Sequence, residues 1–203
     1  MDRASFIQAA LATVAASPTP SSTPIKIIGN PWNMCDKSAA LPYDHPLDIK
    51  MQTLDGPDFH LMAYRGQAVL LNIFATWCGP CNHEQPAMVT LAAQYAPQGL
   101  AVIGINDSEE DNTVRAYRKK YSITYPIAMD RRGGFTRALQ VGRRDDIRTV
   151  FPVSIFITPQ GYLYCYLTGS MSHDELDYRI KKFLADAPPT SLPSPTASPA
   201  SSP

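Results

Sequence analysis

Residues 69–86 read VLLNIFATWCGPCNHEQP. Val69, Leu70, Leu71, Ile73 and Phe74 form an apolar, partly β-branched run broken only by Asn72, the pattern of a buried strand. It ends near Trp77, and Cys78 and Cys81 follow, separated by Gly79 and Pro80. Beyond them Met88, Leu91, Ala92 and Tyr95 recur at helical spacing on one face. Cys78 is therefore expected where a strand passes into a helix. Unpaired N–H groups and the helix dipole favour negative charge there, so a thiol at that point ionises readily, and the thiolate is the reactive form.

The remaining composition narrows the class. A chain of 203 residues can bury one substantial core. Eighteen basic residues balance 18 acidic ones, which argues against a dedicated nucleic-acid or anionic-membrane binder. The basic pairs Arg131-Arg132 and Arg143-Arg144 read as solvated loop surface. No stretch approaches the roughly 20 apolar residues of a membrane helix.

At the amino end, residues 6–16 (FIQAALATVAA) are uncharged, mostly apolar and end in small residues, which suits a short secretory signal cleaved near Ala16. Only Arg3, offset by Asp2, supplies its charged region, and a frayed helix or a different start is the alternative. Residues 1–25 are read as signal and linker, residues 26–186 as one folded domain, and residues 187–203, rich in Pro, Ser and Thr, as a disordered tail.

Inside the domain, residues 47–53 alternate apolar and polar, and with the turn at Asp55-Gly56-Pro57 and residues 59–62 they predict a β-hairpin. Pro86 is expected to kink the cysteine-bearing helix. Residues 100–105 (LAVIGI) read as a second buried strand. Ser108 with Asp111 reads as a capping-box-like helix start, with Glu109, Glu110 and Asp111 opening that helix and Arg118, Lys119 and Lys120 closing it. A short helix is expected over 135–139. Residues 153–157 and 163–166 form an antiparallel pair around a turn at 158–161, and a last helix starts at Ser172, with Glu175 as its capping mate. The alternation predicts an α/β fold with a mixed sheet flanked by helices.

These residues resemble a known family. Cys-Gly-Pro-Cys between a buried strand and a helix, with Phe151-Pro152 opening a later strand, looks like the thioredoxin fold. LNIFATWCGPC, Glu84 and Pro86, YSITYPIAMD, FPVSIFITPQG and GSMSHDEL resemble the TlpA/ResA-like extracytoplasmic thiol–disulfide oxidoreductases over residues 48–184. The resemblance implies a thioredoxin-like fold with an N-terminal hairpin, and a redox-active Cys78–Cys81 disulfide with no other cofactor. It implies a cis peptide bond before Pro152, which packs against the cysteines. The expected partners are protein disulfides or dithiols and a membrane-embedded thiol reductase that donates electrons. A monomer, periplasmic or secreted, is expected, working in tasks such as cytochrome c maturation or the assembly of copper sites.

Three positions depart from related patterns. Cytoplasmic thioredoxins carry a buried aspartate where this chain has Asn72. Thr158 stands where the family usually shows an acid. Residues 143–149 (RRDDIRT) make a longer, more charged loop than usual.

Each candidate residue has a chemical reason and an alternative. Cys78, expected to be exposed beside Trp77, is the nucleophile that forms a mixed disulfide, and Cys81, about one helical turn on, resolves it. Half of a zinc site, or a pair of inert buried thiols, is the alternative. A structural zinc needs four ligands, and neither a second Cys-x-x-Cys nor more than an isolated His83 is present, so no metal is expected. Glu84 shares a helical face with Cys81 and is placed to accept its proton, a role the resemblance also implies; otherwise it is a solvated acid. His83 reads as surface. Trp77, Gly79, Pro80, Phe151 and Pro152 are assigned to the substrate-binding surface, with half-buried packing as the alternative for Trp77. Cys35 and Cys165 are candidates for a structural disulfide because an exported protein with an even cysteine count favours pairing; otherwise Cys165 is a buried thiol and Cys35 is free. A Pro-x-x-x-Thr-x-x-Cys pattern, which a peroxidase would carry, is absent. An oxidase or isomerase and a non-catalytic binding module are the competing readings. The Gly-Pro spacer matches reducing thioredoxins and favours a reductant.

Overall fold

A computed structural model describes Cys35, residues 46–139 and residues 150–190. The apolar run forms β3 (Ala68–Phe74), in which all seven residues are buried. It follows the short strands β1 (Lys50–Met51) and β2 (Phe59–His60) and precedes α1 (Gly79–Tyr95). Next come β4 (Leu100–Asp107), α2 (Asp111–Tyr121), β5 (Ile127–Asp130) and α3 (Gly134–Leu139). The antiparallel pair β6 (Val153–Ile157) and β7 (Leu163–Thr168) and the helix α4 (His173–Asp186) complete the order.

Five strands form one mixed sheet in the order β5-β4-β3-β6-β7. β3 lies at its centre, parallel to β4 and antiparallel to β6. A strand flanked on both edges and covered on both faces has no polar side to present, which is why its sequence does not alternate.

Alternation along β3 assigns the helices to one face. Leu70, Asn72 and Phe74 point the same way. Asn72 reaches Glu84 on α1, Phe74 stacks on Tyr117 of α2 at 5.2 Å, and Phe156, opposite Leu70, meets Phe183 of α4. Helices α1, α2 and α4 therefore cover the same face. The hydroxyl of Tyr95 on α1 donates to Asp177 on α4 at 2.6 Å, and Lys181 holds the other oxygen of that carboxylate.

The leading segment spans the sheet. Leu47 N donates to the Gly161 carbonyl at the β6–β7 turn, while Met129 N donates to the Gln52 carbonyl and Thr53 bridges Ala128 on β5. The intervening residues reach about 20 Å when extended, which is about the width of five strands. Arg115 and Arg118 of α2 clamp Asp55, beyond β1, at 3.0 and 2.9 Å. At the turn, Gly161 has φ 85°, and a Cβ there would fall 1.2 Å from the Arg65 guanidinium. The positive φ is what calls for glycine here, and the flexible Arg65 side chain occupies the space a Cβ would take.

Several expectations change in detail. The hairpin exists but each strand is two residues long, because residues 61–64 turn into a 3-10 helix that buries Leu61. Ser108 does not cap α2: it takes φ 60°, and Glu110 is the N-cap. That backbone turn frees Glu109 from the helix and directs its carboxylate towards the cysteine loop. α1 runs on through Pro86, whose carbonyl accepts from Thr90 Oγ1. Ser172 does cap α4, accepting from Glu175 N at 3.2 Å, while Glu175 pairs with Arg179. Thr190 N still donates to the Gly66 carbonyl, so the first residues after α4 remain attached. Residues 1–25, expected as signal and linker, the loop at 143–149 and residues 191–203 lie outside the described residues.

Candidate active site

Cys78 is the N-cap residue of α1, with extended backbone angles and Pro80 in the first turn. Its Sγ accepts a hydrogen bond from Cys81 N at 3.1 Å and is bonded to Cys81 Sγ, with the two Cα atoms 5.2 Å apart. The sulfur thus lies where the helix presents unpaired N–H groups. In the reduced protein the same donors would stabilise a thiolate.

Cys78 is 5% exposed, not the open thiol expected from sequence. The exposed surface belongs to its neighbours. Trp77 is 69% exposed, Gly79 and Pro80 are exposed, and a Cβ added to Gly79 would meet nothing within 4 Å. A partner can therefore approach the disulfide over Gly79 and beside the indole.

Phe151-Pro152 forms the opposing wall. Ile73 on β3 pairs with Val153 on β6, so the residues just before β6 lie beside the residues just after β3. The Trp77 ring meets Phe151 edge-on at 6.0 Å. The Phe151–Pro152 peptide bond is cis. The Pro152 carbonyl accepts from Gly169 N, which ties this turn to the loop before α4.

Glu84 is 2% exposed, so the solvated alternative does not hold. Oε1 accepts from Asn72 Nδ2 at 3.0 Å and Oε2 from Met171 N at 2.7 Å. Burial pushes its pKa up to about 7 and outweighs these two hydrogen bonds, which pull it down; Glu175 adds a smaller upward push. A carboxyl tuned to neutrality, one helical turn from Cys81, can gain or lose a proton at working pH.

A second carboxylate, unrecognised as a site residue from the sequence, anchors the loop. Glu109 accepts from Thr76 N at 2.7 Å, Thr76 Oγ1 at 2.5 Å and Asn106 Nδ2 at 2.7 Å. Asn82 Nδ2 donates to the Thr76 carbonyl at 3.2 Å, and Cys78 N to the Ala75 carbonyl. Residues 75–78 are therefore held from the β4–α2 connection, from α1 and from within. The available signal was a third consecutive acid before a helix that needs only one. Asn72 was noted as a departure, but its partners Glu84 and Ser154 are 12 and 82 residues away.

The other candidates separate from the centre. His83 is exposed and borders an open cleft of about 330 Å³ that His173 also lines. Cys35 is bonded to Cys165 on β7, 130 residues away, with Cα atoms 4.9 Å apart. Among the described residues no group of three or more His, Cys, Asp or Glu side chains is arranged to hold a metal ion.

Comparison with known proteins agrees with this geometry. The AhpC/TSA family model matches residues 43–164. The thiol–disulfide oxidoreductase ResA of Geobacillus kaustophilus is 29% identical over 134 residues, covering 66% of this chain and 73% of ResA. The thioredoxin-like protein YneN of Bacillus subtilis is 30% identical over 136 residues, 66% of this chain and 75% of YneN. Among solved structures, a thioredoxin-family thiol:disulfide interchange protein from Chlorobium tepidum superposes with a TM-score of 0.62 at 32% identity, covering 72% of this chain and 99% of that one. The chain belongs to the AhpC/TSA family and, within it, is a thioredoxin-like thiol–disulfide oxidoreductase of the ResA type.

Proposed function

We propose that the protein reduces disulfides in extracytoplasmic partner proteins, using Cys78 as nucleophile, Cys81 as resolving thiol and Glu84 as proton acceptor. The observation that carries this reading is the N-cap position of Cys78, with its sulfur on the Cys81 N–H and bonded to Cys81. In the reduced form Cys78 thiolate attacks a partner disulfide; one partner sulfur leaves with the electron pair and takes up a proton. Cys81 then passes its proton to Glu84 and attacks Cys78 Sγ. The Cys78–Cys81 bond forms as the bond from Cys78 to the partner breaks, and the second partner sulfur departs. The partner gains two electrons and the enzyme loses them.

Trp77, Gly79, Pro80, Phe151 and Pro152 form the surface on which an extended partner segment rests. Backbone groups beside a strand-opening proline suit main-chain pairing of that kind. The second disulfide, Cys35–Cys165, supports an oxidising compartment, as does the apolar segment at residues 6–16. In that setting a membrane-embedded thiol reductase is the electron source. The TlpA/ResA-like resemblance points to cysteines of apocytochrome c or of copper sites as substrates. Residues 26–186 would act as one monomeric domain.

Reduction potential tests the direction. A value near the −270 mV of reducing thioredoxins is expected; one near −120 mV, typical of a strong oxidant, would overturn the reductant reading. Insulin-disulfide reduction by the wild type, abolished in Cys78→Ser, is expected alongside it. Absence of turnover in the wild type would favour a binding module.

A further inference from the structure

Asn72 is the one polar residue of β3, at the centre of the sheet and 2% exposed. Burying an amide among apolar side chains is costly unless its hydrogen bonds are made. Both hydrogens of Nδ2 are committed: one to Glu84 Oε1 at 3.0 Å, the other to Ser154 Oγ at 3.3 Å. Ser154 lies directly opposite Asn72 on β6, two residues beyond Pro152, and is 1% exposed. On the other side Asn72 pairs with Gly104, where a Cβ would press on Phe74 at 3.1 Å and Tyr125 at 3.3 Å. The amide is thus confined between two strands, with both of its hydrogens committed to these two acceptors.

We propose that Asn72 is a positioning residue that holds the Glu84 carboxylate in the orientation from which it serves Cys81, with Ser154 as its brace from β6. This deepens the reading of Glu84 as proton acceptor and rests on it. A neutral double donor suits the task. Leucine of similar shape would leave Oε1 without a partner, and aspartate would set a second carboxylate against the first. Because a hydrogen bond to the ionised form favours that form, Asn72 also extends the pH range in which Glu84 is a base. The other titratable groups around Glu84 are Cys81 on α1, Glu175 on α4, Tyr117 on α2 and Tyr125 before β5. Burial and Glu175 penalise the carboxylate, and Asn72 and Met171 N act against both; the two tyrosines stay neutral, their own ionisation being opposed by burial and by the Glu84 carboxylate.

Reaction of the reduced protein with 5,5′-dithiobis(2-nitrobenzoate) separates the two steps. The first thionitrobenzoate is released by Cys78, the second when Cys81 resolves the mixed disulfide. Stopped-flow rates of both phases are followed from pH 5 to 9 for wild type, Asn72→Leu, Ser154→Ala, Glu84→Gln and Asn72→Leu/Glu84→Gln. The second phase of Asn72→Leu is expected to shift its midpoint upward by about one pH unit, a rate loss of about tenfold below the midpoint. The first phase stays in place. Ser154→Ala, which keeps the core volume, should shift the second phase the same way by a smaller factor. In the Glu84→Gln background the effect of Asn72→Leu should vanish. If Glu84→Gln keeps the wild-type profile, the reading of Glu84 itself fails. If Glu84→Gln changes the profile while Asn72→Leu and Ser154→Ala leave it unmoved, the positioning role is overturned; persistence of the Asn72→Leu shift without Glu84 overturns it as well. Should Asn72→Leu not fold, the Ser154→Ala profile decides.

Discussion

Glu84 shows how burying one carboxyl can cost stability. Its carboxyl is raised from an unfolded value of 4.5 to about 7, chiefly by burial. Below pH 4.5 it is neutral in both the folded and unfolded chain. Between pH 4.5 and 7 the folded state binds the proton more tightly, so stability falls as pH rises, and above 7 the full penalty applies. A shift of this size corresponds to roughly 3 kcal/mol. Oxidised Glu84→Gln is therefore expected to be more stable than wild type at pH 8, by up to about 3 kcal/mol, and to lose the downward slope between pH 4.5 and 7. Urea unfolding at several pH values checks this. A parallel pair of stability curves would mean that Glu84 titrates as it does in water. The position of Glu84 was legible in the sequence from its spacing to Cys81. Its burial was not, because that depends on Met171, 87 residues away.

At the scale of elements, the loop between β3 and α1 is held by Glu109, a residue at the end of another βα connection. Periodicity revealed β3, β4, α1 and α4 because each buries a continuous or helically spaced apolar set. It assigned Glu109 to the opening of α2, since an acid before a helix satisfies the dipole. The positive φ of Ser108 separates the two, and no local pattern announces it. The hairpin strands were over-read for a related reason: Leu61 is apolar whether it lies in a strand or in the 3-10 helix that buries it. Replacing Glu109 by Ala removes both hydrogen bonds from Thr76 and the one from Asn106 on β4, and leaves Thr76 N without its acceptor. The expected cost is about 1–3 kcal/mol, with faster amide exchange at residues 76–78. Hydrogen exchange by mass spectrometry on oxidised protein measures it; unchanged protection of that peptide would exclude the anchor.

For the molecule as a whole, two disulfides divide the labour. Cys78–Cys81 joins residues three apart beside the exposed Trp77, whereas Cys35–Cys165 joins residues 130 apart and ties the segment before β1 to the edge strand β7. On the chain-entropy account, a closure of that length restricts the unfolded ensemble by about 5 kcal/mol. The double substitution Cys35→Ser/Cys165→Ser should lower the denaturant midpoint by the equivalent of about 2–5 kcal/mol and leave insulin reduction by the folded protein unchanged. Loss of turnover at full folding would give the second disulfide a part in catalysis. Even cysteine count and export made this pairing one of two open readings of the sequence; the register of β7 and the place of Cys35 beside it lie beyond what spacing can show.

The assignment of attack to Cys78 and resolution to Cys81 is tested by the Cys81→Ser variant, reduced, returned to its native compartment and recovered with free thiols blocked. A mixed disulfide should persist, and mass spectrometry should locate the partner cysteine on Cys78. Recovery of Cys81→Ser with Cys78 unmodified, or with the partner on Cys35 or Cys165, would contradict the account.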